Sequence, residues 1–219
     1  MSNTADTSDA KSTRQGNGVL AIWNDCAAGY EEEYETWYQF EHMPERLAIP
    51  GFLRGRRYER VQGGPTNFFT YYVTADPDVL FSEAYIGRLN NPTLTTKRMM
   101  TEAFKHMSRT VCRVASIVGK ARGSFAVTSA MTERNDLTKL QSYAARPDIA
   151  RAELWLASNN SVTPSEEEQL RGGDDSIEAC LFIETLREQA ALGIADTLSA
   201  SSVHTGVYRL LCELTAESL

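Results

Sequence analysis

Cysteine is scarce and never stands at metal-binding or redox spacing. Cys26, Cys112, Cys180 and Cys212 lie 86, 68 and 32 residues apart. That spacing excludes a zinc knuckle and a Cys-x-x-Cys motif, and it reads as free thiols of a reducing cytoplasm. Long hydrophobic runs are missing as well. Val19 to Trp23 is among the longest and is far too short to cross a bilayer. The opening MSNTADTSDAKSTRQGN holds no apolar segment of the kind a secretory signal needs. Blocks of Lys or Arg are absent, and the net charge is −7 with a pI near 5.1. Nucleic acid and anionic membrane are therefore not expected partners. The three histidines, His42, His106 and His204, form no His-Glu-x-x-His or comparable ligand pattern, so no metal is expected. Gly-x-Gly-x-x-Gly, P-loop and Gly-x-Ser-x-Gly patterns are also lacking. This argues against a nucleotide cofactor, phosphoryl transfer and a serine-hydrolase mechanism.

What remains is an ordinary globular composition, with 42% hydrophobic and 23% charged residues over 219 positions. Residues 1–17 are polar and read as a flexible tail. Acid is unevenly placed: residues 1–119 carry 13 basic and 14 acidic side chains, residues 120–219 carry 9 and 15. The first half is therefore the more favourable place for anion chemistry.

From Gly18 the pattern alternates. Gly18 to Asn24 is apolar on both faces, as in a buried strand. Tyr30 to His42 is helical, with Tyr34, Trp37, Tyr38 and Glu41 on one face and Glu31, Glu32 and Glu33 in the first turn. Pro44 is expected to end that helix near His42. Phe52 to Val61 and Phe68 to Thr74 form two strands joined by a Gly-Gly-Pro loop. A helical stretch from Asp76 to Met107 is broken at Asn90-Asn91-Pro92, and Arg109 to Ile117 is a fourth strand. The second half repeats the order: strands Ser124–Met131, Ile149–Ser158, Ser176–Thr185 and His204–Leu214, helices Leu137–Ala145 and Arg187–Leu198. An acidic insertion, Pro164 to Asp175, separates its middle strands. Each half is β-α-β-β-α-β, the ferredoxin-like unit. One such unit leaves a sheet face bare, and two can bury those faces against each other. The expected fold is thus α+β, with tandem units over 18–118 and 119–219 packed as an intramolecular pseudo-dimer. A monomer suffices, and a further homodimer is compatible with it.

The stretch Trp37-Tyr38-Gln39-Phe40-Glu41-His42-Met43-Pro44-Glu45-Arg46, with Pro50-Gly51-Phe52 and Arg56-Arg57-Tyr58, resembles the EthD-like branch of the dimeric α/β-barrel superfamily. The resemblance covers residues 18–117 and is one of architecture over 120–219. It implies an intramolecular dimeric α/β barrel and a cavity between sheet and helices. It also implies a cofactor-free enzyme of aromatic or polyketide-like compounds: a decarboxylase, dehydratase, cyclase, isomerase or monooxygenase.

His42 is the candidate catalytic residue, since an imidazole exchanges protons near neutral pH. At a helix end, exposed carbonyls would favour its charged form, and Glu41 or Glu45 would orient it. The plain alternative is a helix-end histidine bonded to a backbone carbonyl. No histidine precedes Pro147 at the matching place in the second half, which points to one site per chain. Among the arginines of the second strand, Arg57 faces opposite Arg54, Arg56, Tyr58 and Arg60. Arg57 or Tyr58 would hold the anionic end of a substrate. Tyr34, Trp37 and Tyr38 would supply aromatic walls, and Trp23 or Asn24 a pocket mouth. His106 reads as a helix-end residue, and His204 as the start of the last strand.

These readings converge on a cytoplasmic, cofactor-independent lyase acting on a small aromatic or polyketide-like acid by His42 acid–base catalysis. A non-catalytic small-molecule binding protein, a cofactor-free isomerase or cyclase, and a cofactor-free monooxygenase are the alternatives.

Overall fold

The computed structural model describes residues 15–131, 137–143, 145–158, 163–199 and 204–219. The expected tail lies outside these except for 15–17. Eight antiparallel strands close into a barrel. They are β1 (Gly18–Cys26), β2 (Phe52–Gly63), β3 (Phe68–Thr74), β4 (Phe104–Gly119), β5 (Phe125–Met131), β6 (Ile149–Ala157), β7 (Ala179–Thr185) and β8 (His204–Thr215). Around the barrel the order is β1-β3-β2-β8-β5-β7-β6-β4. Each half contributes four neighbouring strands in the ferredoxin-like order. The halves join at β2–β8 and β4–β6, so the unit edges are paired as well as the bare faces buried.

Alternation along the strands sorts the side chains. Val19, Ala21 and Trp23 of β1 point inward, while Leu20 and Ile22 face the helices. The interior is filled with aromatics. Phe69 packs on Trp23 at 5.0 Å and on Tyr58 at 5.6 Å between ring centroids, and Trp155 stacks on Phe182 at 4.5 Å. At the end marked by Ala126 and Glu184, an ionic network plugs the barrel. Arg56 and Arg122 pair with Glu184, Arg122 and Arg151 pair with Glu153, and Tyr58 donates to Glu184 at 3.1 Å. Mutual pairing is what permits so much buried charge.

Helices cover the outside. Over the first half lie α1, which starts at Glu31–Trp37, then α2 (Glu83–Leu89) and α3, which starts at Leu94–Arg98. Over the second lie α4 (Leu137–Tyr143) and α6 (Glu188–Leu198), whose Leu140, Ile194 and Leu198 pack on Val127, Leu181 and Ile183. The acidic insertion folds into a short helix, α5 (Glu166–Arg171), capped by Ser165.

Several boundaries depart from the sequence pattern. Helix α1 does not stop before Pro44. It widens into a π turn at Tyr38–His42, closed by Met43 N–H on the Tyr38 carbonyl, and runs on through Met43–Leu47. Pro44 has no N–H to offer four residues back, and the π turn is how the helix carries it. Helix α3 likewise ends in a π turn, Met99–Ala103, and β4 begins at Phe104 rather than at Arg109. His106 is therefore a strand residue, not a helix end.

Gly55 of β2 allows α1 to sit close. A Cβ there would lie 2.8 Å from Tyr72 and 3.0 Å from the Met43 methyl. Gly55→Ala is expected to lower stability by about 1–3 kcal/mol, the usual cost of overpacking, read from the midpoint of urea unfolding.

Candidate active site between the sheet and the helices

The π turn decides what α1 presents to the sheet. Tyr34, Trp37 and Tyr38 are buried, as a regular helix requires. One extra residue in the turn then shifts the phase, so that His42, Met43, Arg46 and Leu47 face inward. Glu41 and Glu45 are turned aside, and neither orients His42. Glu41 accepts hydrogen bonds from Thr93 and Thr96, and Glu45 binds Arg88 bidentately at 2.8 Å. His42 packs instead on Trp37, 4.2 Å between ring centroids, and on Tyr38 at 5.2 Å.

Tyr38, His42 and Arg46 border a small void of about 20 Å³, together with Tyr72, Tyr85, Phe104 and Arg109. Helix α5 roofs it from the second half, contributing Glu167 and Arg171. Both carboxylate oxygens of Glu167 accept from Arg46 Nη2, at 2.5 and 2.6 Å, with both side chains only 2% exposed. Arg109 donates to Tyr85 Oη at 2.9 Å, and Arg171 is held by Asp174.

Four groups around this void are buried without a hydrogen-bond partner among the described residues: Tyr38 Oη, His42 Nδ1, Arg46 Nη1 and Tyr72 Oη. Each such group costs about 1–3 kcal/mol when nothing meets it. The void is the size of one water. Burial, with Arg46, Arg171 and Arg88 nearby, holds the His42 pKa well below the ordinary imidazole value. It is neutral, not the helix-end imidazolium expected from the sequence. Burial also pushes the Tyr72 and Tyr38 phenols upward, so both stay protonated and can donate.

The other sequence candidates divide in two. Asn24, Tyr34, Trp37 and Arg57 lie in the same layer, just behind the void. Asn24 Nδ2 donates to Tyr34 Oη at 2.7 Å, and Trp37 Nε1 to Thr96 at 3.1 Å. Arg57 grips Glu35 with both terminal nitrogens and lies over the Tyr34, Tyr38 and Phe68 rings at 4.5–5.0 Å. It is already committed to a carboxylate. Trp23 and Tyr58 point the other way, into the barrel. The aromatics of the third strand, Phe68, Phe69, Tyr71 and Tyr72, read from the sequence as either pocket wall or core, and of these Tyr72 reaches the void. Arg46, Arg109, Glu167 and Arg171 are not evident from the sequence. Arg46 would have needed the π turn to be foreseen, and Glu167 and Arg171 the docking of a distant insertion.

No protein-family model and no curated protein matches the chain. Among solved structures, an anthrone oxidase-like protein superposes with a TM-score of 0.58 at 8% identity, covering 94% of this chain and 95% of its own. A mutant chlorite dismutase from Candidatus Nitrospira defluvii, in complex with cyanide, gives 0.50 at 8% identity, covering 94% and 96%. At such identities the likeness is one of fold, and it agrees with the strand order described above. The chain has the α+β architecture of the dimeric α/β-barrel proteins, with both halves of the barrel on one polypeptide.

Proposed function

We propose that the chain is a small-molecule enzyme that uses neutral His42 as a proton acceptor, in the helix-side site, on an anionic aromatic or polyketide-like substrate. The observation that carries this reading is the convergence of His42 Nδ1, Arg46 Nη1 and Tyr72 Oη, all buried and unpartnered, on one void. A base, a fixed cation and a protonated phenol are the parts that proton transfer beside a developing oxyanion requires. Arginines at the void select for an anion, and Tyr38 and Phe104 give it flat walls.

A lyase reaction balances with these parts alone. In a dehydration, His42 takes the proton from carbon. The C–O bond then breaks, and the proton leaves on the departing hydroxide as water. In a decarboxylation, His42 takes a phenolic proton, carbon dioxide departs leaving its bonding electrons on the ring carbon, and His42 returns the proton there. Arg46 and Tyr72 meet the oxyanion in either case. No cofactor is needed. The likeness in fold to an anthrone oxidase-like protein supports a second reading, in which the carbanion formed at the same base reacts with molecular oxygen. Oxygen consumption measured with an electrode separates the two.

A void of about 20 Å³ admits no aromatic substrate, so α5 must yield. This six-residue helix is held largely by polar contacts: Glu167 on Arg46, Glu166 on Lys97 at 2.8 Å, and its first N–H on Asn90. A substrate carboxylate would take the place of Glu167 at Arg46.

The reading has a pH signature. Unfolded His42 titrates near pH 6.5, whereas in the fold its pKa lies well below that. The unfolded chain thus binds the proton more readily, and stability falls as pH drops from about 6.5 toward the folded value. Urea unfolding at pH 7 and pH 5 should show this loss in the wild type and a smaller one in His42→Gln. The acid limb of kcat/KM should likewise lie well below pH 6.5.

A further inference from the structure

The two ends of the barrel differ. The ionic network plugs one, and the other opens into a cavity of about 470 Å³ that borders on Trp23, His106, Ser108, Thr128 and His204. That volume is typical of small-molecule sites, about 300–1,000 Å³. It lies on the inner face of the sheet, whereas the void of His42 lies on the outer face.

His106 is placed there by a bulge. The β1–β4 register passes from Trp23↔Ser108 to Asp25↔Lys105, so β4 carries one extra residue. His106 has a φ of 52°, the one positive φ among described non-glycine residues. Such strain collects at functional positions, and bulges re-aim side chains. Here the ring meets Asp25, with Nδ1 2.8 Å from Oδ2, while Asp25 Oδ1 accepts the Asn67 N–H at 2.6 Å. A carboxylate fixed in this way holds the Nδ1–H tautomer, which leaves Nε2 as an acceptor. Trp23, stacked on Phe69 and donating to Thr128 Oγ1 at 3.3 Å, forms part of the cavity wall. Among the described residues the lining includes Asp175 and Glu178 and no Lys or Arg. Its charge preference is thus opposite to that of the arginine-lined void.

We propose that the barrel mouth is a second small-molecule site, which takes a flat aromatic molecule bearing an N–H or O–H donor and no negative charge. The donor would bind His106 Nε2, and the ring would lie on Trp23.

Calorimetric titration of the full chain with 2-naphthol, tryptamine and 2-naphthoate tests this. 2-Naphthol or tryptamine should bind at one site per chain. Ser108→Trp, which fills the cavity, should weaken that binding at least tenfold. His106→Asn, which tolerates the positive φ, should weaken it about fivefold, the loss of one hydrogen bond. His42→Gln should leave it unchanged, and 2-naphthoate should bind the Ser108-sensitive site at least tenfold more weakly. Absence of binding by both 2-naphthol and tryptamine would overturn the proposal. So would affinity that survives both Ser108→Trp and His106→Asn in folded protein, or preference of the site for 2-naphthoate.

Discussion

Glu167→Ala should lower the stability of the chain by about 3–5 kcal/mol, and benzoate should restore much of it. The loss follows from leaving Arg46 buried without its carboxylate, which costs far more than a surface pair is worth. The recovery follows from the proposed site. A vacated guanidinium facing a void is a place for an external carboxylate, and any ligand that binds only the folded chain raises the melting temperature with its concentration. Arg46→Met/Glu167→Met removes both charges. It should regain most of the lost stability, because well-packed apolar residues replace buried ion pairs at little cost. It should not respond to benzoate, and it should not turn over an anionic substrate. Thermal melts of the wild type and both variants, across a benzoate series, check the stability and benzoate outcomes, and a turnover assay of the double variant checks the last. A benzoate response that persists in the double variant would place the anion elsewhere.

His42→Gln should reduce kcat by about 10²–10⁴-fold, the usual contribution of a positioned acid–base group. Glutamine keeps polar atoms near those of the imidazole and nearly fills its volume, so the fold should survive with a change below about 1.5 kcal/mol. The effect should fall on kcat more than on KM, because Arg46 and the aromatic walls remain in place to bind the substrate.

Much of the fold is legible in the sequence, because strand alternation and element order are local signals that the tertiary structure obeys. Val19 to Trp23 reads as buried on both faces and is, one face toward the helices and one toward the barrel interior. The opposite orientations of Arg57 and Tyr58 follow from the period of two. The site is less legible, for two physical reasons. A single π turn rephases α1 by one residue, so straight helical arithmetic offers Glu41 and Glu45 where the structure offers His42 and Arg46. The roof comes from 121 residues away: nothing local to Glu167 says that it will reach Arg46. His106 illustrates a third difficulty. A strand bulge carries no hydrophobic period, so Lys105-His106-Met107 reads as the end of a helix until the register with β1 is known.

The central claim is that His42 moves a proton within the helix-side site. It is tested most directly by incubating wild type and His42→Gln with a panel of aromatic hydroxy acids, each with and without a chelator, and identifying the products by mass spectrometry. The account predicts that the wild type forms a product by loss of carbon dioxide or of water, that the chelator has no effect, and that His42→Gln forms little or none. Equal turnover by the two proteins would contradict it and remove His42 from the chemistry.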